Sequence, residues 1–130
     1  MFDLSEEVVF LTGAAGQIGE SSVNALLKQG AKVVAVDSDM AVLHEVAERN
    51  QWKNKGVIYF DLDIRNEDEV EKAFGKVRKQ GGRITSLVNN AGVSVFSPWE
   101  DRTKEEIDWV CDVNIKGSLF CINSFLHHRL

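Results

Sequence analysis

Glycine stands at positions 13, 16 and 19 of the octet Thr12-Gly13-Ala14-Ala15-Gly16-Gln17-Ile18-Gly19, directly after the apolar run Val8-Val9-Phe10-Leu11. The chemistry this spacing can serve is the binding of a pyrophosphate. Gly13 lets the chain turn sharply off a strand, Gly16 keeps a Cβ out of the path of a phosphate, and Gly19 lets the next helix pack close to a sheet. The N-terminus of that helix then offers free N–H groups and a partial positive charge. Asp37 follows eighteen residues past Gly19, at the end of the run Val33-Val34-Ala35-Val36. A dinucleotide-binding βαβ unit presents a carboxylate there to the ribose hydroxyls of the adenosine. Ser38 or Asp39 can cap the following helix, which leaves Asp37 free for that task. A 2′-phosphate a few ångströms from Asp37 would be repelled by about 1 kcal/mol in water and about 4 kcal/mol near a protein surface. Asp39 adds a second negative charge, and neither Ala14 nor Ala15 offers a basic side chain, so NAD is expected over NADP. Asp63, just past the run Val57-Ile58-Tyr59-Phe60, is placed to accept a hydrogen bond from the adenine amino group, with Ile64 packing on the ring.

These residues need strands and helices in strict alternation to position them. Short β-branched and aromatic runs predict strands at 7–12, 32–36, 56–60 and 84–88. Helical spacing predicts helices at 17–29, 39–50, 67–79 and 104–129, the first stopped by Gly30 and the third ending before Gly81-Gly82. Ile18, Val23, Ala25, Leu26 and Leu27 are the inward candidates of the first helix, and Met40, Leu43, Val46 and Ala47 those of the second. Asn66 with Glu69, and Thr103 with Glu106, read as capping boxes. The result is an α/β fold, a doubly wound parallel sheet of the Rossmann type in three α/β/α layers. Right-handed crossovers give the strand order 3-2-1-4. That order reverses between strands 1 and 4, so a crevice opens between the loop Thr12–Gly19 and the loop Asn90–Gly92. The last helix is amphipathic up to Asp112, with Ile107, Val110 and Cys111 inward. From Leu119 it is apolar nearly all round (Leu119, Phe120, Cys121, Ile122, Phe125, Leu126), so one face packs on the sheet and the other needs a partner.

Composition excludes several classes. The 130 residues, 44% of them apolar, suit one domain with a real core. A net charge of −5 with no Lys/Arg cluster speaks against nucleic acid as a partner. Without an apolar run of membrane-span length or a secretion signal, no membrane partner and a cytoplasmic location are the expectation. Cys111 and Cys121 show no CxxC spacing and read as buried small apolar residues. His44 reads as a solvated surface side chain, and His127-His128 as imidazoles favoured by a helix C-terminus, with no metal site expected.

Three blocks resemble the short-chain dehydrogenases/reductases: Thr12 to Gly19, then Asn89-Asn90-Ala91-Gly92, then Val113-Asn114-Ile115-Lys116-Gly117. Asp63-Ile64 at its strand tip agrees, and the likeness runs over residues 1–130. The resemblance implies that Gly13, Gln17, Ile18, Asp37, Asp63, Ile64, Asn90, Ala91 and Gly92 line an NAD site. It implies that Asn114, interrupting a long helix, helps hold the water of a proton relay. It also implies hydride transfer between NAD and an alcohol/carbonyl substrate, and a homo-oligomer built through the 104–129 helix. Two departures stand out. Gln17 occupies a position where single-domain members usually carry glycine, and the Gly13/Gly16/Gly19 spacing is similar to the branch acting on nucleotide sugars as epimerases or dehydratases. The family's acid/base is a tyrosine with a lysine four residues on, beside a serine. Here the only tyrosine, Tyr59, is followed four residues on by Asp63. The chain therefore reads as a single, C-terminally incomplete NAD(P)-binding domain, the cofactor part of an oxidoreductase. The alternative is a naturally short, non-catalytic nucleotide-binding or assembly protein. Of the substrate side, only Ser94, Val95 and Phe96 are placed to contribute.

Overall fold

Val8–Thr12 forms β1 and Lys32–Asp37 forms β2, two apolar runs that pair in parallel with Phe10 beside Val34 and Leu11 beside Ala35. The computed structural model describes residues 2–80 and 82–129. Gly81, half of the expected stop after the third helix, lies outside the described residues. β3 (Ile58–Asp61) pairs with the outer edge of β2, and β4 (Ser86–Val88) with the other edge of β1. The order is β3-β2-β1-β4, all parallel, as the alternation of elements requires. Both β3 and β4 are shorter than their apolar runs. Trp52–Lys55 winds into a 3-10 turn, and Gly56 at φ +74° carries the chain out of it, so pairing begins only at Ile58.

Pleating sends alternate side chains to opposite faces, and each face meets its own helices. Phe10, Val34 and Val36 lie under α3 (Glu67–Lys79), where Phe10 stacks on Phe74 with ring centres 4.2 Å apart. Leu11, Val33 and Ala35 lie under α1 (Gln17–Lys28) and α2 (Met40–Arg49), together with buried Trp52. Within α1 the inward stripe runs through Gly19, Val23, Leu26 and Leu27. Ile18 and Ala25, expected inward, are exposed, because they sit about 140° and 200° around the helix from Val23 at 100° per residue. Met40 and Ile107 are likewise exposed rather than inward.

Helix starts follow local chemistry. Asp39 caps α2, its carboxylate accepting from Val42 N at 3.1 Å. Asn66 accepts from Glu69 N at 3.2 Å, but the side chain of Glu69 does not return to it, so this is a one-sided cap rather than a box. Thr103 and Glu106 do form the reciprocal box at the start of α4 (Lys104–Cys111).

The long last helix is two helices. A π-helical stretch, Asp112–Gly117, separates α4 from α5 (Ser118–His128). On α5 only Cys121 and Ser124 are buried, while Leu119, Ile122 and Leu126 are exposed. The inner face docks on α3. Ser124 Oγ donates to Glu71 Oε2 at 2.7 Å, His128 Nε2 pairs with the other carboxylate oxygen, and Arg78 Nη1 donates to the His128 carbonyl at 3.3 Å. His128 is thus held by a carboxylate and by the ring of Phe74, and not by the helix dipole alone. His44 is exposed on α2, as expected, with its Nδ1 3.4 Å from the Tyr59 hydroxyl.

The donor hydroxyl of Ser124, and after it His128, hold the Glu71 carboxyl below its ordinary value of 4.5. A carboxylate depressed on folding contributes stability above its unfolded pKa, and that contribution is lost as pH falls through the lowered value. Acid unfolding followed by circular dichroism should therefore steepen below about pH 4.5 and flatten in Glu71→Gln. Superimposable acid profiles for the two chains would refute this role.

Candidate dinucleotide site

The order reversal between β1 and β4 leaves their carboxyl ends without a covering connection, and the glycine turn and the segment after β4 meet there. Gly13 leaves β1 at φ +69°, a conformation L side chains rarely adopt, and a Cβ on it would stand 2.8 Å from Ala91 Cα. A Cβ on Gly19 would stand 2.1 Å from the Gly13 carbonyl oxygen, so helix and turn touch backbone to backbone. Gly16 differs. Its Cβ would meet only that oxygen, at an ordinary 3.6 Å, so the fold leaves space above it. That clearance at a helix start, where backbone N–H groups are free, is compatible with a diphosphate.

Thr12 ties the two loops together. Its side chain is 1% exposed, and its Oγ1 accepts from Asn90 N at 3.1 Å and Ala91 N at 3.0 Å. Asn90 returns the contact, Nδ2 donating to the carbonyls of Thr12 at 3.2 Å and Gly13 at 3.1 Å. Asp37 is equally fixed: Oδ2 accepts from Ala15 N at 3.0 Å and Oδ1 from Asp39 N at 3.1 Å. Asp63 is gripped by Arg65, whose Nε lies 3.0 and 3.1 Å from its two oxygens and whose Nη2 donates at 2.6 Å. That side chain holds the Asp63 carboxyl below its ordinary value, against the opposing effect of burial.

Between these groups lies a cavity of about 180 Å3, and six of the expected residues line it: Gly13, Asp37, Asp63, Ile64, Ala91 and Gly92. Asn90 serves behind the wall, through the bonds just given. Gln17 and Ile18 open α1 on the exposed side of the turn, Ile18 at 73% exposure, and neither lines the cavity. Asn114 sits in the π-helical stretch with both ends of its side chain on one residue. Its Oδ1 accepts from Val93 N and its Nδ2 donates to Val93 O, each at 2.8 Å. The amide side chain therefore positions the segment after Gly92.

Sequence reasoning passed over Arg65, Trp109 and Val113, which also line the cavity. Arg65 was signalled by its place directly after Asp63-Ile64. Trp109 and Val113 are four apart, a signal masked by the inward reading of Ile107, Val110 and Cys111. Among the described residues no group of three or more His, Cys, Asp and Glu could hold a metal ion, and no helix is long and apolar enough to cross a membrane. Cys121 is buried, its thiol pushed up to about 12 by that burial, while Cys111 is half-buried.

Known proteins share both pattern and architecture. The sequence profile described as short chain dehydrogenase matches residues 7–129. An uncharacterized oxidoreductase of Staphylococcus saprophyticus is 36% identical over 131 residues, all of this chain and 56% of that protein. Another from Staphylococcus aureus is 32% identical over 95% of this chain and 52% of that one. Among solved structures, the apo form of LigD from Sphingobium sp. strain SYK-6 superposes with a TM-score of 0.90 at 26% identity, over 98% of this chain and 55% of that one. A short-chain type dehydrogenase/reductase from Mycobacterium marinum, at 24% identity, shares the fold with a TM-score of 0.89 over 98% of this chain and 51% of that one. The chain spans about half the length of the curated relatives it matches.

Proposed function

Since this chain belongs to the short-chain dehydrogenase family, we propose that it binds NAD in the crevice between the glycine turn and Asn90–Gly92, as the cofactor-holding part of an oxidoreductase acting on an alcohol/carbonyl pair. NAD, when bound, supplies the hydride acceptor or donor of that reaction. The residues of this chain bind and orient. The turn from Gly13 to Gly16 and the start of α1 would hold the diphosphate, Asp37 the adenosine ribose, and Asp63 with Ile64 the base. Asn90 and Asn114 would keep the segment after β4 in place beside the nicotinamide end. The alcohol/carbonyl substrate and its position belong to this proposal.

The observation that carries the reading is Asp37. Two backbone N–H groups lock its carboxylate at the tip of β2, at the rim of the cavity, where it can accept from vicinal ribose hydroxyls but repels a 2′-phosphate. Arg65, the basic side chain of the same cavity, is paired with Asp63, which offsets its charge. Titration calorimetry with NADH and NADPH tests this. NADH should bind at least about tenfold more tightly, well within a charge repulsion of about 4 kcal/mol at a protein surface. Asp37→Ser should bring the two affinities within about threefold of each other. Equal binding of both by the unaltered chain would sink the NAD preference, and binding of neither would sink the cofactor reading.

A further inference from the structure

Helix α4 has no buried residue, so none of its side chains is needed to complete the core. Its largest apolar side chain is Trp109, which belongs to neither core cluster. The residue is exposed, at 39%, and it lines the 180 Å3 cavity together with Ile64, Arg65 and Val113. An aromatic side chain exposed on a cavity wall, outside the core, is available to a ligand. The same cavity carries the ribose-directed carboxylate of Asp37 and the backbone of Gly13 and Gly92. A sugar-facing acid on one wall and an indole beside a branched aliphatic side chain on another make a site for a flat heteroaromatic base attached to a ribose. Such bases pack well on aromatic faces whatever their hydrogen-bonding pattern.

We propose that Trp109 is a binding residue for the purine end of the nucleotide, its indole packing on the base alongside Ile64. This rests on the nucleotide reading of the crevice and adds a residue and a contact to it. The helix position supports the assignment. Trp109, in the last turn of α4, lies four residues before Val113 in the π-helical stretch, and both line the cavity.

ADP-ribose, which has the adenine, both riboses and the diphosphate but no nicotinamide, is the probe. Nicotinamide mononucleotide, which lacks the adenine, is its control. In a Trp99→Phe chain the remaining indoles are Trp109 and Trp52, the latter fully buried and bonded to Asn24. ADP-ribose should quench indole emission in that chain, and nicotinamide mononucleotide should not. Trp109→Ala should abolish the quench and weaken ADP-ribose about tenfold (about 1.4 kcal/mol), and Trp109→Phe should restore most of the affinity. If ADP-ribose binds the unaltered chain and binds Trp109→Ala equally well, the Trp109 assignment is overturned while the cofactor reading stands. If ADP-ribose binds Trp99→Phe without quenching it, the assignment falls in the same way, with Trp109 itself left in place. If the unaltered chain binds neither ADP-ribose nor NADH, the crevice is not a nucleotide site and both fall together.

Discussion

Gly19→Ala is expected to cost the chain about 3 kcal/mol or more in urea unfolding, and to remove nucleotide binding with it. Adding atoms to a packed interior costs about 1–3 kcal/mol when side chains can shift. Here the new Cβ would stand 2.1 Å from the Gly13 carbonyl oxygen and 2.8 Å from Ala14 Cα, so only backbone could give way. Moving α1 outward would spread the turn and take its N–H groups out of line with a diphosphate. Gly16→Ala makes the contrast, since its Cβ meets only ordinary contact at 3.6 Å. That chain should lose no more than about 1 kcal/mol, mostly from the poorer helix cap, yet bind NADH at least tenfold more weakly. Two glycines three residues apart would then separate the two demands on the loop, Gly19 for packing and Gly16 for ligand clearance. A Gly19→Ala chain as stable as the unaltered one would show that the turn yields, and would overturn the argument.

Thr12→Val should be the second large effect, although it alters shape very little. The hydroxyl is buried and accepts from the Asn90 and Ala91 amides. Asn90 N has a second acceptor in the Val88 carbonyl at 3.1 Å, so the unsatisfied donor left behind is mainly that of Ala91. A buried donor without a partner costs about 1–3 kcal/mol. Stability should fall by that amount, and the Ala91 amide should lose protection in hydrogen exchange by a corresponding factor. Thr12→Ser, which keeps the oxygen and gives up a methyl group, should retain the protection at a stability cost of about 1 kcal/mol. Equal protection in Thr12→Val and Thr12→Ser would mean that the hydroxyl is not the clamp.

The features legible in the linear sequence are those that depend on neighbours within a turn or two. Alternating apolar runs and 3.6-residue spacing specify which segments pair and which coil, and the handedness of crossovers then orders the strands β3-β2-β1-β4. Gly13 reads as a turn glycine because φ +69° is open to it and strained for other residues. Asp39 and Thr103 read as caps because the amides they satisfy lie three residues on. The acid at the tip of β2 follows from the unit that carries it.

Partners far apart in the chain were decided only when the layers packed. Asn114 reaches Val93 across 21 residues, and Glu71 reaches Ser124 and His128 across 53 and 57. No spacing rule joins such pairs, because their separation is set by where α3, α5 and β4 come to rest on the sheet. The same holds for Trp109, whose local pattern suits a surface helix and whose place on the cavity wall depends on where α4 lies against the Asp63-Ile64 strand tip. The break between α4 and α5 is tertiary too. A Cβ on Gly117 would stand 2.6 Å from Ile64 Cγ1, so the helix comes almost onto that side chain at the end of the π-helical stretch. The amino-acid sequence by itself determined the fold and the acids and glycines of the crevice, since those answer to local periodicity and backbone conformation. Which side chains are free to meet a ligand, and which are already committed to each other, was decided by packing, because distance in space is not written in distance along the chain.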